Sequence, residues 1–227
     1  MPSSVGSDTP GRDARRAPVT RDRILEAAVR LADAHGLEAV SMRRVGQELG
    51  VEAMSLYKHV ANKEAILDGI ADLVWAEVEV PDPDDGGWRA ALRRSAVSAH
   101  DVLLRHPWAS GLVESRANPG PARLRYLEAV VGTLRDAGAS LPLIGRAFMA
   151  LDSHTYGFTL QELAFPFEPD TASESAAALA EGLPADAYPN LAAMAGMVAA
   201  DDGGFGLDFD FGLDILLDGI ERRLETE

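Results

Sequence analysis

The sequence predicts an all-α protein, an N-terminal helix-turn-helix three-helix domain followed by a larger C-terminal helical bundle. Three observations carry that prediction. From Ile24 onward, apolar residues recur at spacings of three and four, as on one face of an α-helix. Three short helical segments, joined by turns of about three to five residues, close within about 45 residues, which is the arrangement of a helix-turn-helix. Period-two alternation, the mark of a half-buried strand, is brief everywhere, and no segment repeats another.

Thr20 is placed to cap the first helix, whose inward positions are Ile24, Ala27, Ala28, Leu31 and Ala32 and which Gly36 ends. Ser41 caps a second, short helix with Val45 and Leu49 inward, and Gly50 supplies the tight turn after it. A third helix spans about Glu52 to Val60, with Leu56 and Val60 inward. Val45, Leu49, Val51 and Leu56 then fix the second and third helices at a steep angle and leave the polar face of the third free. Asn62 caps a fourth helix, 62–77, running through Ile66, Leu67, Ile70 and Leu73. The run PDPDDGG, from Pro81 to Gly87, breaks the helical pattern. Trp88 to His106 reads as a helix ended by Pro107, and Pro121 to Ala137 as another with Leu124, Leu127, Val131 and Leu134 inward. Leu141 to Phe165 reads as a long apolar helix stopped by Pro166. Residues 168–187 read as a mobile loop or short acidic helix, and Gly203, Gly204 and Gly206 as a connector. From Phe209 to Leu224, Phe209, Leu213, Leu216, Leu217 and Ile220 form a stripe too broad for one neighbour, suiting a helix packed inside a bundle and against a second subunit. The expected division is a flexible arm over 1–18, a helix-turn-helix domain over 19–65, and a ligand-binding and dimerisation domain over 66–227.

The 227 residues, 47% hydrophobic and 25% charged, suffice for one or two domains with a buried core. The absence of Cys excludes a disulfide scaffold, a thiolate nucleophile and any Cys-ligated metal. No apolar run approaches the ~20 residues of a membrane helix and the N-terminus lacks a signal-peptide core, so a cytoplasmic protein with no membrane partner is expected. The net charge of -15 hides an asymmetry: residues 12–63 hold ten Arg or Lys against seven Asp or Glu, whereas residues 64–227 hold eleven against 28. A small basic unit on a larger acidic body is the pattern of a polyanion-binding module carried by a part that touches no polyanion. Arg12, Arg15 and Arg16 in the arm are within reach of a DNA backbone.

A helix entering the major groove needs short side chains at its start and longer polar ones around it to grip phosphates. Residues 52–59, EAMSLYKH, divide in that way: Ala53, Met54 and Ser55 lie toward the N-terminal end, and Tyr57, Lys58 and His59 reach toward the backbone. Arg43 and Arg44 lie near the start of the preceding helix, and Lys63 enters the next. Ser55 and Arg43 read as base-edge or adjacent contacts, and Tyr57, His59 and Lys63 as phosphate contacts. Singly, each of these fits an ordinary core or surface role; the ordered set from Arg43 to Lys63 is far more specific.

The stretch from Ile24 through Leu67, above all LGVEAMSLYKHVANKEAILD (Leu49 to Asp68), resembles the N-terminal DNA-binding domain of the TetR family of ligand-responsive transcriptional repressors. WRAAL at Trp88 to Leu92 and FDFGLDILLDGIE at Phe209 to Glu221 resemble the tetracycline-repressor type of regulatory domain, so the likeness covers about residues 20–224. The resemblance implies a homodimer that binds a palindromic double-stranded operator in its free form and releases it when a small-molecule inducer enters the helical core. Arg43, Ser55, Tyr57, His59 and Lys63 match positions at which the tetracycline repressors touch operator DNA. Ala53 stands where those repressors carry a glutamine that reads a base, which implies a different operator sequence.

The inducer pocket is expected within the C-terminal bundle, apolar with a few orienting polar groups. Its candidates are His100, Leu103, His106, Trp108, Leu112, Val113, Arg116, Leu127, Val131, Met149, Asp152, Ser153, His154, Tyr156, Phe158 and Glu162. Against the tetracycline repressors, Val113, Arg116, Glu77 and Ser95 replace the histidine, threonine, second histidine and asparagine that hold the drug and its magnesium; only Glu162 matches. The resemblance therefore implies a small hydrophobic or aromatic ligand other than magnesium-tetracycline, with no cofactor and no metal. Asp152 and His154 point to different faces of a helix and six residues separate His100 from His106, which disfavours a metal site. Ser153 shares no face with both of its neighbours, and no glycine loop cradles a phosphate, so no enzyme is expected. Two other readings stay open: a transcriptional activator of the same architecture, and a helical interaction protein whose bundle is filled instead of holding a pocket of ~300–1,000 Å³.

Overall fold

The computed structural model describes residues 18–116, 119–164, 177–178, 181–200 and 208–227. Those residues contain no strand and ten α-helices: α1 (Arg21–His35), α2 (Met42–Leu49), α3 (Ala53–Leu56), α4 (Lys63–Ala76), α5 (Gly87–Arg105), α6 (Ala109–Glu114), α7 (Pro121–Asp136), α8 (Leu141–Ala164), α9 (Pro189–Ala200) and α10 (Phe209–Leu224). The all-α architecture with an N-terminal helix-turn-helix is as the sequence predicts. The chain divides into two compact units, one reaching Thr133 and the other beginning at Leu134. Arg12, Arg15 and Arg16, most of the segment 168–187, the end at Phe165–Pro166, and Gly203, Gly204 and Gly206 lie outside the described residues.

Short polar side chains start the head helices. Thr20 is extended and its hydroxyl accepts from the Arg23 N–H at 3.3 Å. Ser41 accepts from the Arg44 N–H at 3.3 Å, and Asn62 Oδ1 accepts from the Ala65 N–H at 2.9 Å. Each such cap stabilises by about 1 kcal/mol, enough to set where a short helix begins. Gly50, at φ 70°, turns the chain between α2 and α3 in the left-handed region.

The head core is Ile24, Ala27, Ala28, Leu31, Val45, Leu49, Leu56 and Val60, closed by Ile66 and Ile70 of α4, all buried. Two glycines allow the helices to meet. A Cβ on Gly46 would lie 2.9 Å from the Val51 carbonyl oxygen and 3.2 Å from the Ala53 nitrogen, where α2 meets the turn into α3. A Cβ on Gly69 would run into the Leu25 side chain, where α1 meets α4.

Several elements differ from the sequence reading. The third helix is one turn, Ala53–Leu56, followed by a turn over 57–59, and not a helix to Val60. Asn62 must be extended to cap α4 (φ -166°), and Val60 must still be buried, so the chain leaves the helix early. Leu73 is only half-buried, while Val74 and Trp75 are buried. In α7 Leu124 is exposed, and the inward residues are Ala122, Val130, Thr133 and Leu134. The short α6 and the apolar α9 were not foreseen.

The segment before α5 is strapped onto that helix. Ser95 donates to the Glu79 carbonyl at 2.7 Å, Ser98 accepts from the Glu79 N–H at 2.9 Å, and Arg94 reaches Glu79 and the Asp85 carbonyl. In the second unit α8 packs on α10. Phe209 stacks on His154 with centroids 4.8 Å apart, His154 Nε2 donates to the Phe209 carbonyl at 2.9 Å, and Leu213 and Leu217 are fully buried. Gly212 makes room for that imidazole.

Candidate DNA-contacting face and ligand cavity

Packing the apolar side of α1, α2 and α4 inward leaves one polar surface around α2 and α3. Arg43, Arg44, Tyr57, Lys58 and His59 are exposed on it, Ala53, Ser55 and Lys63 are half-buried, and Met54 is 74% exposed. An isolated methionine that exposed has no packing role in the subunit, which removes the core reading of Met54. Tyr57, 49% exposed, is likewise outside the core. Arg43, Arg44, Lys58 and Lys63 are paired with no carboxylate among the described residues, whereas Arg30 on α1 meets Glu48 at 3.6 Å. Four uncompensated cations beside short side chains form a surface that attracts phosphate and admits base edges.

A cavity of about 180 Å³ lies against α4 in the same unit, lined by Asp68, Ala71, Asp72, Trp75, Val113, Arg116, Pro119, Gly120, Arg123 and Leu127. Arg116 Nη1 donates to Glu64 Oε2 at 2.7 Å and to Asp68 Oδ1 at 3.1 Å. The hydrogen bond to Glu64 raises the guanidinium pKa above its usual value, burial opposes this, and Asp68 adds to it, so the group is a permanent cation. Asp72 Oδ1 accepts from the Ala122 N–H at 2.8 Å and the Arg123 N–H at 3.3 Å, capping α7 from α4; a Cβ on Gly120 would collide with it. Trp75 lies between the Tyr126 ring, 4.7 Å away, and the Arg123 guanidinium, 4.4 Å from its centroid.

Trp75 Nε1, on a residue 5% exposed, and Arg116 Nε are buried and lack acceptors among the described residues. Leaving a buried donor unmatched costs about 1–3 kcal/mol.

Of the residues expected to meet a ligand, this cavity brings together Val113, Arg116 and Leu127. His100, Leu103 and Leu112 are buried, Val131 is half-buried, and none of them lines it. His106 and Trp108 are used in a network. Asp33 Oδ1 of α1 accepts from His106 Nδ1 at 2.7 Å and from Trp108 Nε1 at 2.7 Å, and His106 Nε2 faces Glu77 Oε1 at 3.4 Å. Glu77 also accepts from Arg105 at 2.8 Å. This network ties the end of α1 and the end of α4 to the turn between α5 and α6. In the second unit Met149 and Ser153 are exposed, Tyr156 is buried, and Asp152, His154, Phe158 and Glu162 are half-buried. Among the described residues no group of three or more His, Asp or Glu is arranged to hold a metal. Phe209, Leu213, Leu217 and Ile220 are buried within the single chain and Leu216 is half-buried.

The cavity residues the sequence reading missed are Asp68, Ala71, Asp72, Trp75, Pro119, Gly120 and Arg123. The available signal was a pair of carboxylates four residues apart, Asp68 and Asp72, in an otherwise apolar helix.

Two family models match the sequence: "Bacterial regulatory proteins, tetR family" over residues 24–70, and "Tetracyclin repressor-like, C-terminal domain" over residues 80–224. The HTH-type transcriptional repressor DrrR1 of Streptomyces coeruleorubidus is 37% identical over 93% of this chain and 82% of its own length. The class A tetracycline repressor of transposon 1721 from Escherichia coli is 29% identical over 88% of this chain and 89% of its own. The structure of the Streptomyces coelicolor TetR family protein ActR in complex with actinorhodin superposes with a TM-score of 0.76 at 31% identity, covering 92% of this chain and 99% of that one. No helix among the described residues is long and apolar enough to cross a membrane.

Proposed function

This chain belongs to the TetR family of bacterial transcriptional regulators, and on that premise we propose that it is a ligand-responsive repressor. As a homodimer it binds a palindromic operator with the face around α2 and α3, and a small, partly aromatic molecule entering its body releases it. The observation that carries the reading is the placement of α4. One helix begins at the head with Lys63 and supplies Asp68, Ala71, Asp72 and Trp75 to the cavity wall.

Two heads on one duplex must span successive major grooves, ~34–36 Å apart. A 14-residue helix is about 21 Å long, so a small tilt at its cavity end is carried to the head as a displacement of the reading residues. Ligand and operator then lower each other's affinity by the same factor. Arg43 and Ser55 are assigned to bases and their neighbourhood, and Tyr57, His59 and Lys63 to phosphates; Arg44, Ala53, Met54 and Lys58 complete the face.

The homodimer is supported by the outer sides of α8 and α10. Met149, Leu160 and Leu163 share one side of α8 and are exposed, and Phe211 (66% exposed) and Ile215 share one side of α10. Such residues on two helices packed together form an apolar face that water disfavours.

The test is a fluorescence-anisotropy titration of the protein against its own upstream intergenic DNA at two salt concentrations, with Tyr57→Phe and Lys63→Ala variants. Tight binding that weakens with salt and in both variants is expected. Failure to bind this DNA or any duplex selected from a random library would contradict the reading.

A further inference from the structure

We propose that Met54 is a base-reading residue and that it recognises the C5-methyl group of a thymine in the major groove. The proposal rests on the reading of this chain as a DNA-binding regulator and names the base and the chemical group that the face around α2 and α3 selects.

Met54 is the most exposed large hydrophobic side chain among the described residues, at 74%. Its direction follows from a neighbour: Leu56 is fully buried, and two residues are about 200° of helix, so Met54 stands on the side of α3 opposite the core. Ala53 and Ser55, on either flank, are half-buried, which leaves Met54 the most exposed side chain of the helix. The backbone beneath it is held close against α2. The Val51 N–H donates to the Gly46 carbonyl at 2.9 Å, and a Cβ on Gly46 would lie 3.3 Å from the Ala53 Cα. The place of Met54 is therefore set before any DNA arrives, which reduces the ordering cost of a contact.

Around this side chain the face is polar or cationic, with Arg43, Arg44, Lys58 and His59 exposed on it. Those groups suit phosphates and base acceptors, and a thioether does not. It has no donor and is only a weak acceptor, so against the edge of a G·C pair it would leave the guanine acceptors and the cytosine amine without partners. Thymine alone presents an apolar group in the major groove, its C5-methyl. An unbranched, polarizable side chain covers such a methyl and removes both surfaces from water. Charge brings the duplex to this face, and Met54 selects a T·A pair within it.

The test uses the full chain and a duplex operator selected from a random library. Each thymine of that duplex is replaced in turn by deoxyuridine, symmetrically in both half-sites, which deletes the methyl and keeps every hydrogen-bonding group. At one thymine position per half-site, affinity measured by anisotropy is expected to fall about fourfold for each methyl lost, or roughly fifteenfold for the pair, the ratio that corresponds to one buried methyl-sized group per head. Met54→Ala is expected to bind the thymine and deoxyuridine duplexes equally, and Met54→Leu to keep the preference. Lys63→Ala weakens both duplexes alike and leaves their ratio unchanged, which separates a lost phosphate contact from a lost base contact. Met54 has no packing role in the chain, so its variants stay folded. Insensitivity of every thymine to methyl removal, or a methyl preference that persists undiminished in Met54→Ala, overturns the proposal and leaves the regulator standing. A selection that yields no bound duplex defeats the DNA-binding reading and this inference together.

Discussion

The head and the cavity are built in different ways. Every side chain assigned to the proposed DNA-contacting face lies between Arg43 and Lys63, and most are exposed, held by a small core beneath them. The cavity wall is gathered from α4, from Val113 of α6, from the segment beyond it and from α7, with its polar groups tied to one another across the gap. On the proposed function, a face of the first kind can change its operator by single substitutions without disturbing the fold. A cavity of the second kind changes only together with the packing that also positions α4.

Removing what lies beneath the face has the largest expected effect. Leu56→Ala empties a fully buried position under α3 and should lower unfolding free energy by about 2–5 kcal/mol in urea titrations, with loss of operator binding. A loss below 1 kcal/mol would mean that the head is not held by this core. Crowding the junction shared by both regions comes next. Gly69→Ala forces a methyl against Leu25 and should cost about 1–3 kcal/mol, whereas Gly111→Ala, with open space at its Cβ and a helical backbone, should be neutral or stabilising by up to about 1 kcal/mol.

Asp33→Ala leaves His106 Nδ1 and Trp108 Nε1 without their acceptor and should cost about 1–3 kcal/mol by thermal or chemical denaturation. Because this contact joins α1 to the α5–α6 turn, the variant should also respond less to ligand while its operator affinity stays near the parent's. An undiminished ligand response would show that the contact is structural only. Asn62→Ala, which removes the α4 cap, should cost about 1 kcal/mol.

The smallest effect lies at the far end of the chain. Glu227 accepts from the Ser140 hydroxyl and, at 2.6 Å, from the Ser140 N–H at the start of α8. These bonds hold its carboxyl below the ordinary 4.5. A depressed folded-state pKa stabilises above the unfolded value, and that contribution is lost as pH falls through the lower folded value. Ser140→Ala should therefore slightly destabilise at neutral pH, and the difference from the parent should vanish in acid. A difference that is independent of pH would assign the effect to packing.

The same contrast governs what can be read from the chain. Thr20, Ser41, Asn62 and Gly50 act through bonds to neighbours within a few residues, so α1, α2 and the start of α4 are legible. The length of α3 is not, because it is set by a conflict between burying Val60 and extending Asn62. The inward side of α4 misleads because that helix buries residues on most of its circumference, from Ile66 to Trp75, and leaves little period to read. The apolar α9, PNLAAMAGMVAA, has no charged residue to mark an outer face. For the cavity, Val113 and Arg116 were reachable by resemblance and Leu127 by its helical spacing, but Asp72 owes its place to the start of α7, fifty positions later in the chain. That pairing exists only once the helices have packed.

The central claim is that α4 couples the cavity to the spacing of two heads. The chain has no cysteine, so Glu52→Cys puts one spin label per subunit beside α3. Electron–electron distance measurement on the free dimer, and on the dimer with a compound that releases operator DNA, should show the separation of the labels shifting by several ångströms. An unchanged distance distribution in protein that has released its operator would contradict the account.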